Sequence, residues 1–203
     1  MDLSIKYSQK ALPREVDNQM QREIVVYPDK RLKLISKEVT SFNGALHDLL
    51  DDMYDTMISR NGVGLAAIQI GVDSRVLIIN IPLEDTGGDS YGEERNPNDQ
   101  PRENTLEIIN PVIVEADGTE KFQEGCLSVP GFYEDVERAK HVKVTYYDRN
   151  GNEHTLEDDD FLAVAIQHEI DHLDGKVFIE KLSYMKRKKF EKEWRRKQKE
   201  GIV

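Results

Sequence analysis

The sequence predicts an α+β fold, with antiparallel sheets packed around one central buried helix and a second helix at the C-terminal end. Three observations carry this. Residues 161–174, FLAVAIQHEIDHLD, are apolar nearly all round as far as Gln167, the mark of a helix enclosed by the rest of the domain. Short runs rich in branched residues and bounded by turn formers recur along the chain, as strands do. Residues 184–199 keep a helical composition but only a few apolar anchors, as a surface helix does.

In chain order, residues 1–22 are polar and without clean periodicity, and read as a leader before Ile24-Val25-Val26-Tyr27. From Asn43 to Ile58 the apolar positions Leu46, Leu49, Leu50, Met53, Tyr54 and Met57 recur at intervals of three and four, which predicts an amphipathic helix ended by the glycines at 62 and 64. Arg75 to Asn80 reads as a buried strand. Residues 84–104 are dense in Gly, Pro, Asp and Asn and offer almost nothing to a core, so a surface loop insertion is expected there. Leu106 to Ala116 and His141 to Tyr147 are further strands, the second followed by a hairpin turn at Asn150-Gly151. Asp158, Asp159 and Asp160 supply carboxylates to cap the buried helix, and Gly175 can close it in a left-handed conformation. In the last helix Tyr184, Met185, Phe190 and Trp194 are the apolar anchors. There is no internal repeat.

At 203 residues the chain is expected to form one domain over 1–203, since a chain of this size buries roughly 70 % of its unfolded surface. No apolar run reaches the length of a membrane span and the first residues lack the apolar stretch of a secretory signal, so a cytoplasmic protein with no membrane partner is expected. The single cysteine, Cys126, has no internal partner for a disulfide, and its thiol serves either packing or chemistry. Residues 181–200 hold ten Lys or Arg against three Glu, a net of +7 in a chain of net charge −11. An acidic body argues against DNA as a partner. The basic stretch is either a solvated helix face or a docking surface for something rich in phosphate.

His168 and His172 lie four apart, so on a helix both imidazoles project from one side and can meet a single cation. Phe161 and Ala165 continue the same stripe. Glu169, between them, is placed to accept a proton beside the ion without binding it. Two core histidines flanking a buried carboxylate would be costly without a compensating charge, which a divalent cation supplies. A catalytic site of this kind needs a third protein ligand. Glu191 and Glu193 have a tolerable spacing but sit in the basic tail. Cys126 is the better candidate: in Glu124-Gly125-Cys126-Leu127-Ser128-Val129-Pro130, Gly125 permits close backbone approach and Pro130 is expected to end the strand. In Gly62-Val63-Gly64-Leu65-Ala66-Ala67-Ile68-Gln69 the small residues serve a turn and packing, while Gln69 either does the same or offers an amide N–H to a developing oxyanion.

Three runs in this order, GVGLAAIQ, EGCLSVP and QHEIDHLDG, resemble those of peptide deformylases of the bacterial type, with similarity from about Ile24 to about Leu182 outside the loop insertion. The resemblance implies a hydrolase that removes the formyl group from the N-terminal methionine of new polypeptides and releases formate. It implies that Cys126, His168 and His172 bind one divalent metal ion, ferrous iron with zinc or nickel as replacements, and that Glu169 is the acid/base. It further implies that Gln69 and the backbone N–H of Leu127 stabilise the oxyanion, and that Gly64 and its neighbours, Leu65 among them, bond to the peptide backbone. Val63 and Leu127 fall where the family lines the methionine pocket, Glu124 and Gly125 fall among the substrate-binding positions, and Glu124 and Arg138 match positions with a supporting role. The stretch Gly131-Phe132-Tyr133 departs from members that carry a substrate-contacting arginine there. The partners implied are N-formylmethionyl nascent peptides, and the ribosome through the C-terminal helix; removal of residues 184–203 is then expected to leave peptide turnover intact.

Overall fold

The computed structural model describes residues 21–83 and 99–202. The expected leader therefore lies outside the described residues except at its last two positions, and the insertion outside them except for 99–104.

The first helix, α1, runs from Gly44 to Ser59, with the Asn43 side chain accepting from Leu46 N–H as its N-cap. The strands follow: β1 (Gly64–Ala66), β2 (Val76–Ile79), β3 (Leu106–Asp117), β4 (Glu120–Cys126), β5 (Val129–Arg138), β6 (His141–Tyr147) and β7 (Glu153–Asp158). α2 spans Phe161–Leu173 and α3 Tyr184–Lys199. Every strand pairing is antiparallel: β1-β2-β3-β6-β7 make a five-stranded sheet and β4-β5 a separate hairpin.

The alternation of side chains along β1 and β2 explains how one sheet serves two helices. Ala66, Leu77, Ile79 and Ile108 face α2, packing with Ala163, Ile166, Ile170 and Leu173. Leu65, Val76, Ile78 and Ile109 face the other way and meet Leu46, Leu50, Met53 and Met57 of α1. A third cluster joins Val129 and Val136 of the β4-β5 hairpin to Phe178, Phe190 and Trp194. The hairpin meets α2 through Phe122 against Phe161 and Glu124 against His168, so that α2 lies between sheet and hairpin as expected.

Several boundaries have local causes. Asp160 caps α2 through Phe161 N–H at 2.8 Å, and Asp158 accepts from Asp160 N–H and Ala163 N–H, so two members of the acidic cluster share the capping. Gly175 follows α2 at φ +70°, where an added β-carbon would lie 2.6 Å from the Lys33 carbonyl oxygen, a place no side chain fits. Gly151 also has positive φ, but its turn is longer than Asn150-Gly151: Asp148 accepts from the N–H of both Asn150 and Asn152 and organises the whole connection.

Two expectations are corrected. Pro130 does not end the strand bearing Cys126; that strand stops at the thiol, Leu127-Ser128 form a two-residue turn, and Pro130 is the second residue of β5. Of the four anchors of α3, Phe190 and Trp194 are buried, with Tyr27 edge-on to both rings, but Tyr184 and Met185 are exposed. They occupy the first turn, where the helix has not yet reached the core. Among the described residues no helix is long and apolar enough to cross a membrane.

Candidate metal centre

α2 brings the two histidines to one side, as a spacing of four requires, with ring centroids 5.0 Å apart. The end of β4 brings the sulfur. Cys126 Sγ lies 3.2 Å from His172 Nε2, and one donor atom from each of Cys126, His168 and His172 fall within 4.8 Å of one another. The structure thus brings together the sulfur and two imidazoles singled out from the sequence. Glu191, paired with Lys188 on α3, and Glu193 on the same helix both stand outside the cluster, so neither alternative third ligand is brought to the histidines.

Behind the three clustered side chains lies a buried charged network. Arg138 grips Glu124 with two hydrogen bonds, Nε to Oε1 at 2.6 Å and Nη2 to Oε2 at 2.8 Å, and its Nη1 donates to Asp171. Asp171 also pairs with Lys181 at 3.2 Å. Glu124 Oε2 accepts from His168 Nδ1 at 2.8 Å, which fixes the ring and leaves its Nε2 for the cluster. Glu124 thus borders the cleft while its carboxylate is committed to Arg138 and His168. Asp171 was not picked out from the sequence; its place beside His172 in HEIDH was the available signal.

Gln69 lies on a single 3₁₀ turn, Ala67–Ile70, straight after β1. Its Oε1 accepts from Ala66 N–H at 2.8 Å, which turns the amide so that Nε2 donates to Ser128 Oγ at 3.2 Å and lies 3.5 Å from Cys126 Sγ. The amide nitrogen is therefore at the thiol, and Leu127 follows that thiol in the β4-β5 turn.

A cleft of about 600 Å³ opens onto the cluster. Val63, Gly64, Gly125 and Leu127 line it, and so do Phe161 and Ala165, the positions that continue the histidine stripe. Leu65 does not, because its side chain is packed on the α1 face of the sheet. The stretch Gly131-Phe132-Tyr133 divides: Gly131 and Tyr133 reach the cleft, while the Phe132 ring stacks on Phe178 and lies tilted against Phe190.

Burial, first of all, pushes the Glu169 carboxyl up to about 7, with the Glu124 charge adding to it and His168 opposing it. Its Oε2 is buried with no hydrogen-bond partner. Burial alone would lower His168, but Cys126 and Glu124 outweigh it and raise its pKa well above the ordinary value. Burial and the neighbouring His168 push His172 well down. Two imidazoles, one sulfur and an uncommitted carboxylate oxygen beside them fit a divalent transition-metal ion with space for a small ligand.

The polypeptide deformylase family model matches residues 21–188. A peptide deformylase of Nautilia profundicola is 53 % identical over 174 residues, covering 86 % of this chain and 93 % of the relative. One from Helicobacter pylori strain HPAG1 is 53 % identical over 178 residues, covering 88 % and 95 %. Among solved structures, the peptide deformylase of Ehrlichia chaffeensis superposes with a TM-score of 0.73 at 40 % identity, covering 88 % of this chain and 97 % of that one.

Proposed function

The chain belongs to the polypeptide deformylase family, and from that premise we propose that Cys126, His168 and His172 hold one divalent cation and that Glu169 moves the proton of the reaction. The reaction is hydrolysis: the formyl group is removed from the N-terminal methionine of newly made polypeptides and leaves as formate. The observation that carries the site assignment is the convergence of three donor atoms, from strand β4 and helix α2, within 4.8 Å.

A cation in this set supplies Lewis acidity, making a water nucleophilic near neutral pH and polarising the carbonyl it attacks. The rest is done by the chain. Glu169, buried and raised to about 7, accepts a proton at Oε2 and returns it to the departing amine nitrogen. The Gln69 amide and the Leu127 N–H, beside the sulfur, receive the oxygen that gains charge as the formyl carbon turns tetrahedral, a contribution of typically about 3 kcal/mol per donor. Glu124 and Arg138 hold His168 in one tautomer and orientation.

The substrate lies in the cleft, its methionine side chain between Val63 and Leu127. β1 is the end strand of its sheet, and Gly64, with its neighbour Leu65 contributing backbone, offers its outer edge to the peptide as an added strand would require. Gly125, without a side chain, lets the peptide approach the sulfur. Ferrous iron is the physiological ion in this reading, with zinc or nickel as replacements that a His2Cys set accepts. The enzyme works in the cytoplasm, where nascent chains are made. Lys188, Lys192, Arg195, Arg196 and Lys199 share one face of α3, which supports contact with the phosphate-rich ribosome.

The test is formate release from formyl-Met-Ala-Ser by the Glu169→Ala variant. The expected result is full metal content with turnover at least about 100-fold below the parent. Parental turnover in a fully metallated variant would contradict the role of Glu169, and turnover that a chelator never suppresses would contradict the metal.

A further inference from the structure

Residue Gln100 stands at the C-terminal base of the segment expected to be a solvated insertion, yet it is 2 % exposed. Its side-chain amide nitrogen donates to two carbonyl oxygens, Gly62 O at 3.0 Å and Asn80 O at 2.6 Å. Asn80 in turn donates its backbone N–H to Val63 O at 2.8 Å and its side-chain amide to Pro101 O and Thr105 Oγ1, both at 2.9 Å. The backbone carbonyl of Gln100 accepts from the Tyr54 hydroxyl of α1 at 2.8 Å. The carbonyls of Gly62 and Val63 are thus both tied by hydrogen bonds, and Gly62, Val63 and Gly64 all line the cleft.

We propose that Gln100 is a positioning residue for substrate binding: through Gly62 and Asn80 it fixes the peptide planes leading into β1, so that the strand edge meets the substrate backbone in one register. This rests on the reading that Gly64 and its neighbours bond to the peptide. The physical reason is that β1 is only three residues long, Gly64–Ala66, and is entered through Gly62, the residue with the greatest backbone freedom. A short end strand of this kind holds a defined edge only if the chain before it is tied down. A single primary amide spanning two carbonyls does so, because its two N–H bonds lie in one plane and set the separation of the two acceptors. The base of the insertion thereby becomes part of the cleft wall.

The experiment compares kcat and KM for formyl-Met-Ala-Ser and formyl-Met amide, with metal content and thermal midpoint measured alongside. In the parent, the tripeptide should be the better substrate, because it alone offers a backbone to the strand edge. Gln100→Leu should raise KM for the tripeptide about tenfold while kcat stays within about twofold, and should lower the tripeptide preference by a similar factor. Metal stoichiometry should not change. Tyr54→Phe, which loses only the hydroxyl bond to the Gln100 carbonyl, should shift the preference the same way by a smaller factor, and it decides the matter should the leucine variant fail to fold. A parental preference near one would remove the strand-edge reading and the proposal with it. A strong parental preference that survives unchanged in the folded, metallated variants would overturn the role of Gln100 alone, as would an equal loss for both substrates through kcat.

Discussion

Gly64 and Glu169 are packed against each other with no space for a side chain: a methyl group added at Gly64 would lie 2.9 Å from Glu169 Cδ and closer still to Oε1. The β1 edge and the carboxylate proposed to move the proton therefore set each other's position. Gly64→Ala should displace the carboxylate and lower kcat by about 100-fold, the scale of a displacement near 1 Å, with metal content retained. Elemental analysis with steady-state kinetics checks it; a parental kcat would show that the carboxylate has room to move.

Glu124→Gln keeps the shape of the side chain but removes the charge that meets His168 Nδ1 and the Nε and Nη2 of Arg138. Metal affinity should fall about 10- to 100-fold, measured by competition with a chelator, because the outer partner of a ligating histidine sets its orientation and basicity. Activity at saturating metal should recover in large part.

The same residue gives a pH signature. Burial on its own would raise the Glu124 carboxyl, but the Arg138 guanidinium and His168 more than offset this and hold it at about 2. Its folded value lies below the ordinary one, so its contribution to stability is full above about pH 4.5 and is lost as the pH falls toward 2. A shift of this size corresponds to about 3 kcal/mol. In metal-free protein, the urea midpoint of the parent should fall between pH 6 and pH 3 by more than that of Glu124→Gln, which starts lower and changes less. Parallel pH curves would contradict the assignment.

The sequence alone made the helices and the grouping of Cys126 with His168 and His172 legible, and for the helices and the histidine pair the reason is physical: four-residue spacing on α2 and the period of α1 are local properties, and both survive in the fold. What it missed was non-local. β4 and β5 are lined by mixed polar and apolar residues because one face of the hairpin meets the cleft, which blurs alternation. Asn110 at φ +52° and Pro111 interrupt β3, so its register against β6 shifts where the sequence reads as one continuous strand. Asp171 and Gln100 are polar residues whose burial depends on partners 33 and 38 positions away, Arg138 and Gly62, and no local pattern announces that.

The C-terminal helix needs a different test from truncation. Phe190 and Trp194 are buried against Tyr27, Phe132 and Phe178, so removing residues 184–203 opens the core and cannot be expected to leave turnover intact. Reversing exposed charges instead, Lys192→Glu with Arg196→Glu, should leave formyl-Met-Ala-Ser turnover within about twofold. It should also weaken ribosome co-sedimentation and reduce the steepness of its salt dependence. Unchanged co-sedimentation would count against contact through this face.

The most direct test of the central claim is metal stoichiometry and formate release in anaerobically purified parent and Cys126→Ala protein. One equivalent of a divalent transition metal in the parent, with loss of both metal and turnover in the variant, is the result expected from a sulfur and two imidazoles sharing one ion. A variant that retains one equivalent and turns over formyl-Met-Ala-Ser at the parental rate would contradict it.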